Sequence, residues 1–501
     1  MSTGGTLRIA VVGGGVGGLA AAWEAKHEIV RRGMDAEVLV LEARERVGGS
    51  ILTERVEGCL VEGGPDCFVT DKPWGMDLME EVGLGPHLAS TNDARRKTYV
   101  LWKGRVHPLP DGLILLVPTR VMPFVTSSLF SWPGKLRMAF DLVLPRKCDG
   151  SDETLGDFIR RRLGHEALDK LGEPLVAGIH SGDPETMSIK ATFPRFVDME
   201  CEQRSLIVAM LRRMRAARKA RAAAVRSGSS GRPTRPRTMF ATLDGGLGMF
   251  TTALARRIGE TAIHTGDPVV AVRRGDGAGW VLRTESGAEH GVDGLILATP
   301  AYASAGILAG VSPALAAELE AIPYVSSATV TLAFRAAEFP REPDGFGLVV
   351  PKAENRRIKA FTWVTSKFFD RAPEDIVLLR CFIRSADGET ETMAEEEMVA
   401  RAREELRSIL GVDAEPLWAR AYRWNRAMPQ YVVGHLDRVA RIDALLTEVP
   451  GIVLAGGAYR GSGIPDTVRV SREQARGLVE QLAATGGPVA ADSVSRREPS
   501  A

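Results

Sequence analysis

The sequence predicts an α/β protein with a central parallel sheet assembled from separated segments, a mixed α+β domain and a helical insertion. Three observations carry that prediction. A strand–helix–strand pattern opens the chain around VVGGGVGGL (11–19). A buried apolar run, DGLILATP (293–300), ends in Thr299-Pro300. A strand, a glycine-rich loop and a helix return at 451–482. Each is a piece of the same kind of sheet, yet the three lie far apart in the chain.

The first piece is the most informative. Residues 7–12, LRIAVV, form an apolar run long enough for one buried parallel strand. Residues 18–32 read as an Ala-rich helix with Leu19, Ala22 and Trp23 on one face, and Glu37–Leu41 is a second strand ending in Glu42. That is a complete βαβ unit of the Rossmann-like kind. Gly13 permits the tight turn, Gly15 lets backbone approach a pyrophosphate, and Gly18 lets helix and strand pack closely. The helix start then offers free N–H groups and a positive dipole end to phosphates. The turn as a whole (Gly13, Gly14, Gly15, Val16, Gly17, Gly18) is therefore a candidate dinucleotide cradle, with Glu42 and its neighbour Ala43 at the ribose. A carboxylate there accepts hydrogen bonds from a ribose diol and repels a 2′-phosphate.

The next residues decide which dinucleotide. EARERVGG, Glu42–Gly49, continues into Arg46 and the pair Gly48-Gly49. An extended flavin adenine dinucleotide needs such a second clamp, with an arginine to neutralise the pyrophosphate and glycines to let backbone pass; a nicotinamide dinucleotide does not. This stretch resembles the extended fingerprint of the flavoprotein amine-oxidase and phytoene-desaturase superfamily. A further glycine cluster, EGGPDCF (62–68), fits that family's turn beneath the flavin ring. The expected cofactor is non-covalent FAD.

Composition suits a soluble enzyme. At 501 residues the chain is too long for one comfortable core, so two or three domains are expected. Apolar content of 45% and charged content of 25% are ordinary globular values. A net charge of +1 argues against nucleic-acid binding. Five cysteines (Cys59, Cys67, Cys148, Cys201, Cys381) are scattered without CxxC spacing, which predicts reduced thiols in a cytoplasmic protein and neither a disulfide nor a zinc site. The apolar N-terminal run is the nucleotide strand, without a cleavage site, so no signal peptide is expected. No uncharged apolar stretch reaches the roughly 18–20 residues of a membrane span.

Along the chain, residues 1–90 form the first segment of the FAD domain and 91–225 a helical region. Within that region PLPDGLILLVPTRVMPFVTSSLFSWPGKLRMAF (108–140) is rich in proline and large apolar residues. ETLGDFIRRRLGHEALDKL (153–171) reads as helix, with Thr154 as cap and Leu155, Phe158, Ile159 and Leu163 as stripe. Residues 203–243 hold eleven Lys or Arg and no acid: a helix to Arg226, basic over 211–226, then a flexible linker, SGSSGRPTRPR. Segment 226–300 returns to the FAD domain through FATLDGGLGMFTTALARRI (240–258) and strands at Pro268–Arg273 and Trp280–Thr284. Residues 301–425 form the substrate domain, 426–484 the last FAD segment, and 485–501 a disordered tail.

EGGPDCF, EPLVAGIHSGDPETMSIKATFP, RSLI, GFGLVVP, AMPQYVVGH and RGSGIPDTVR, in this order, resemble the bacterial oxygen-dependent porphyrinogen oxidases from about residue 7 to about 483. That family includes protoporphyrinogen oxidase and coproporphyrinogen III oxidase. The resemblance implies flavin contacts from the Gly64, Pro65, Asp66 and Cys67 turn, from Val269 at the adenine end, from Trp424, and from Ser462, Gly463 and Ile464 near the ring. The last group is supported by the residues themselves, since a glycine-rich loop feeding a helix places a positive dipole end on reduced flavin. It further implies that the Gly178 carbonyl orients a tetrapyrrole, that Val349, Trp363 and Phe382 flank its rings, and that His180 lies in the active-site segment where many relatives carry an aromatic residue.

The implied reaction is a six-electron oxidation in haem biosynthesis, with porphyrinogen and O₂ as partners and H₂O₂ as product. No catalytic histidine is needed, and His107, His165 and His435 form no triad or metal spacing. The alternative is another FAD oxidase or desaturase acting on an amine or a carotenoid. Several plant-type relatives place a propionate-holding arginine just before the YVLWK strand, where this chain has Thr98 preceded by Arg95, Arg96 and Lys97; these cations would favour the four-carboxylate coproporphyrinogen over protoporphyrinogen, or else form a solvated loop. The basic helix is either a solvated insertion or a contact for anionic lipid or for the next haem enzyme. Monomer and homodimer both stay open.

Overall fold

The computed structural model describes residues 6–484 apart from 115, 227–234, 237, 278, 341 and 385–387. The expected disordered tail and most of the expected linker lie outside these residues.

The parallel sheet has five strands in the order Ile263–Thr265, Ala36–Glu42, Leu7–Val12, Gly294–Leu297, Ile452–Leu454. Its members come from widely separated segments because parallel pairing requires long crossovers. Both faces are covered, so the strands read as continuous apolar runs rather than alternating ones. On one face the helices Val16–Arg32, Gly248–Ile258 and Ile464–Ala484 bury Ile9, Val11, Leu19, Val468 and Leu478. On the other, Trp280 and the helices Ala301–Leu308 and Pro313–Glu320 close over Ala10, Leu295 and Leu297.

A second sheet of seven strands runs Trp418–Pro429, Tyr324–Arg335, Ile376–Ile383, Ile358–Trp363, Gly347–Val349, Thr98–Trp102, Arg105–Pro108. Residues 98–108, which the sequence places in the helical region, thus edge this sheet. The strand Trp418–Pro429 likewise crosses the expected boundary at 425. Polar turns flank both segments, and only pairing shows which sheet they join.

The helix Glu395–Leu410 covers one face of this sheet, packing on Val330, Leu332, Phe361, Leu379 and Cys381. The opposite face meets two neighbours. At one end Ala333 and Leu378 pack on Cys59 and Val61 from the hairpin Thr53–Val56/Cys59–Glu62. At the other, Val100 and Val349 pack on the helical region around Phe158, Leu163, Val176 and Met187.

Thr154 caps its helix as expected, its hydroxyl accepting from the Asp157 N–H at 2.9 Å, and Leu155, Phe158, Ile159 and Leu163 are buried. The expected single helix over 153–171 is broken, however. Gly164 takes φ +94, separating Leu155–Arg162 from His165–Ala167, and the Arg137 guanidinium bonds the carbonyls exposed at that break. The cysteines also require a correction. Cys148 and Cys201 form a disulfide with Cα atoms 5.8 Å apart, leaving Cys59, Cys67 and Cys381 free. Their sequence separation of 53 carries no pairing signal; proximity arises because the helix Pro194–Gln203 packs beside the loop at 148.

Candidate functional site

The two glycine clusters of the first segment fold onto each other. Gly13 adopts φ +105, and a Cβ there would meet the Ala298 carbonyl at 2.9 Å, so only glycine fits the turn. A Cβ on Gly18 would lie 1.7 Å from the Gly13 carbonyl oxygen, which explains the close helix–strand approach. Gly48 donates to the Gly14 carbonyl at 2.8 Å, and Gly49 sits over Gly15. Gly15 itself opens to free space, its imagined Cβ seeing nothing nearer than the Gly49 Cα at 3.8 Å.

The helix that starts at Val16 has no side-chain cap, and its first main-chain bond within the helix is donated by Leu19 to Gly15. The amides of Val16, Gly17 and Gly18 are thereby free to receive an anion. Gly17 is also where this helix meets the one beginning at Ile464: a Cβ on Gly17 would contact Ser471 Oγ, Thr467 Cγ2 and the Gly456 Cα at 3.0–3.1 Å. Two helix starts therefore converge, and Ser462, Gly463 and Ile464 lie at the second of them. These features fit the pyrophosphate and ring of an extended FAD.

Glu42 is buried at the strand tip. One carboxylate oxygen accepts from the Gly14 N–H and the other from the Arg44 N–H at 2.9 Å, leaving lone pairs for a ribose, with Ala43 exposed beside it. Val269 packs in the same cluster as Leu41, next to this tip. Arg46 donates to the carbonyls of Val47, Gly49 and Ile51, so it stiffens the Gly48-Gly49 turn from within. Burial lowers its pKa.

The Gly63–Cys67 turn is held against the second sheet. Trp424 Nε1 donates to the Gly63 carbonyl at 2.8 Å, and Arg380 Nη2 approaches it at 3.5 Å. Gly64 stacks on the Ser50 carbonyl so closely that a Cβ would lie 1.7 Å away. Asp66 accepts from Lys367 Nζ at 3.1 and 3.2 Å, and Lys367 also reaches Cys67 Sγ at 3.4 Å. Burial opposes ionisation of Asp66, but Lys367 and Arg380 outweigh it and hold the carboxyl at about 2. Burial next to Asp66 pushes the Cys67 thiol up to about 12, so it stays protonated. Pro65 completes the turn.

Phe382 projects from the same sheet face as Arg380, whose guanidinium stacks on its ring at 5.1 Å. It is half-buried, lying between the Leu378 contact with the flavin domain and the Val349 contact with the helical region. Val349 pairs with Ala360, which pairs with Phe382, so the two share that face. Gly178 lies in the helix Glu173–His180, and a Cβ there would touch nothing within 4 Å. His180 ends this helix; its side chain is outside the described residues.

Trp363 is a correction. It pairs with Leu379, whose side chain faces the helix Glu395–Leu410, and Trp363 is buried there edge-on to Tyr99 and Phe361. One residue of strand parity separates it from the expected face. The basic run, for which the sequence leaves a substrate rim and a solvated loop both open, pairs with surface acids. Arg95 bonds Glu342 and the Pro343 carbonyl, Lys97 bonds Asp344 at 3.1 Å, and Arg96 reaches Met239 Sδ, so Arg95 and Lys97 are already neutralised at the surface. Sequence reasoning passes over Lys367, Arg371 and Arg380. A lone arginine inside the apolar strand IVLLRCF is the available signal.

The fold and the paired helix starts are those of a dinucleotide-binding oxidoreductase. Comparison with known proteins narrows this. The family described as flavin containing amine oxidoreductase matches residues 16–479. A coproporphyrinogen III oxidase from Propionibacterium freudenreichii is 35% identical over 95% of this chain and 92% of its own length. One from Bacillus subtilis is 33% identical over 93% and 96%. A crystal structure from Exiguobacterium sp. 255-15, provisionally assigned as a protoporphyrinogen oxidase, superimposes with a TM-score of 0.82 at 32% identity, covering 96% of this chain and all of the other. The chain belongs to the flavin containing amine oxidoreductase family, and it is an oxidoreductase with a flavin cofactor.

Proposed function

We propose that the protein oxidises coproporphyrinogen III to coproporphyrin III with non-covalently bound FAD and with O₂ as acceptor. The observation that carries this reading is the near full-length similarity to proteins of that name, at 33–35% identity. Non-covalent attachment is supported by the absence of cysteine from residues 451–470, around the second helix start. When bound, FAD accepts each two-electron hydride equivalent and passes it to O₂; three O₂ take six hydrogens and leave as three H₂O₂.

The chain's own residues bind and orient. The free amides of Val16–Gly18 and the Arg46-braced turn hold the pyrophosphate, and Glu42 holds the ribose. Trp424 and Arg380 fix the Gly63 carbonyl, and with it the turn under the ring. Phe382 and Val349 supply an apolar floor for a flat macrocycle, and Gly178 keeps the opposing helix from filling the space. The substrate's own N–H groups release their protons, so no side-chain base is required.

We further propose that the helical region touches an anionic membrane surface. Among the described residues, Val121, Met122, Trp132, Leu136, Phe140 and Val143 are 56–74% exposed, and the basic helix Leu206–Arg226 packs beside Phe140–Leu142. An exposed apolar cluster rimmed by cations suits a lipid interface. No helix of the described residues is long and apolar enough to cross a membrane.

The decisive experiment is aerobic turnover of coproporphyrinogen III against protoporphyrinogen IX, following porphyrin fluorescence and H₂O₂ together. Three H₂O₂ per porphyrin with preference for the four-carboxylate substrate is expected. Oxidation of amines but not porphyrinogens would overturn the reading.

A further inference from the structure

We propose that a buried cavity between Arg371 and Arg380 binds a small monovalent anion of the halide class. The cavity lies where the flavin-domain hairpin meets the second sheet. It is lined by Leu60, Val61, Glu62, Asp66, Thr331, Val364, Phe368 and Leu378 with the two arginines, and it accommodates about one occupant the size of a water molecule or a halide ion.

Three cations gather there, Lys367, Arg371 and Arg380, against two carboxylates, Glu62 and Asp66. Both carboxylates are spent on other donors. Glu62 accepts from the Leu247 N–H at 2.8 Å and the Thr53 hydroxyl at 2.6 Å, and Asp66 gives both oxygens to Lys367. Arg371 donates through Nη2 to Thr242 Oγ1 and the Leu243 carbonyl, while its Nη1 stands 3.9 Å from Glu62 without a hydrogen bond. Among the described residues Arg380 has just two hydrogen bonds, both long at 3.5 Å, to the Gly63 carbonyl and Thr329 Oγ1, and its guanidinium stacks on the Phe382 ring. Arg371 Nη1 and Arg380 Nε are buried without a partner. Each of the two arginines is less than a tenth exposed.

A water molecule could accept from both nitrogens, but it would leave the excess positive charge of the three cations over the two carboxylates uncompensated beside two arginines that are less than a tenth exposed, where an unpaired charge is expensive. A cavity that holds about one small occupant leaves no room for a polyatomic anion. A halide satisfies the donors and the charge together. Burial lowers the pKa of both arginines, which an anion in this position would relieve.

The test uses the flavin-loaded enzyme exchanged into sodium gluconate. Thermal unfolding is followed as bromide or chloride replaces gluconate at constant ionic strength. A saturable rise in Tm of about 2–4 °C is expected in the wild type and absent in Arg371→Gln and Arg380→Gln. Crystals of the wild type soaked in bromide should show an anomalous peak between the two guanidinium groups, a readout that does not depend on the variants folding. A single water in the cavity, a Tm response equal in wild type and variants, or a bromide peak without a saturable solution effect would each overturn the proposal.

Discussion

Two groups of cations in this molecule invite comparison. Arg95, Arg96 and Lys97 are adjacent in sequence and conspicuous; Lys367, Arg371 and Arg380 are scattered and inconspicuous. The first group lies at the surface, where side chains are 41–56% exposed in the pairs with Glu342 and Asp344. The second is buried beneath the Gly63–Cys67 turn, with Lys367 13% and Asp66 15% exposed at the side chain. Exposed ion pairs are screened and flexible, so they are worth little. Buried ones are costly to break, because the surviving partner has no water to return to. Density of charge along the chain therefore says little about electrostatic leverage; burial decides it.

The sharpest way to break this comparison is Lys367→Met. It strands Asp66 and should cost roughly 3–5 kcal/mol of stability, measured by chemical denaturation of the flavin-loaded protein. A cost below about 1 kcal/mol would place the buried pair with the surface ones.

Glu42→Ala should come next. Charge-assisted hydrogen bonds contribute roughly 1.5–3 kcal/mol, so FAD binding should weaken by about one to two decades, read by flavin fluorescence on dilution. Unchanged retention would remove Glu42 from the site.

Acid sharpens the contrast without mutation. Asp66 is lowered from 3.8 to about 2 in the folded protein, so its pairing contributes stability that is complete above the unfolded value and is lost as pH falls from about 4 toward 2. Stability measured across that window should fall in the wild type and fall less in Asp66→Asn.

The smallest effect belongs to the surface run. Replacing Arg95, Arg96 and Lys97 together by Gln should raise the KM for coproporphyrinogen III about twofold or less, at no more than about 0.5 kcal/mol for the whole group, and salt should erase the difference. A tenfold, salt-sensitive rise specific to the four-carboxylate substrate would restore these cations to the substrate rim.

Much of the nucleotide site is legible in the order of amino acids alone. Glycine spacing is a local steric statement: Gly13, Gly18 and Gly64 sit where a Cβ would strike backbone, and such positions announce themselves in sequence. The strand–helix–strand order and the acid ending the second strand are equally local. The Thr154 cap and its apolar stripe follow from periodicity.

Strand parity, sheet membership and partner choice are not local. Trp363 and Phe382 are both aromatic residues on neighbouring strands, yet a single step of register turns one into the core under Glu395–Leu410 and the other onto the opposite face, which it shares with Val349. Cys148 and Cys201 meet only because a helix folds back across 53 residues. The convergence of two helix starts at Gly17, and of three cations on a cavity at the domain junction, likewise depend on contacts between segments hundreds of residues apart. By itself the sequence determined the βαβ unit, its glycine turn and the acid beside it, because these depend on backbone sterics and hydrogen bonding within a few residues. Tertiary structure alone decided which side chains share a sheet face, which charges are buried and which cysteines pair. Burial and long-range proximity exist only once distant segments have packed.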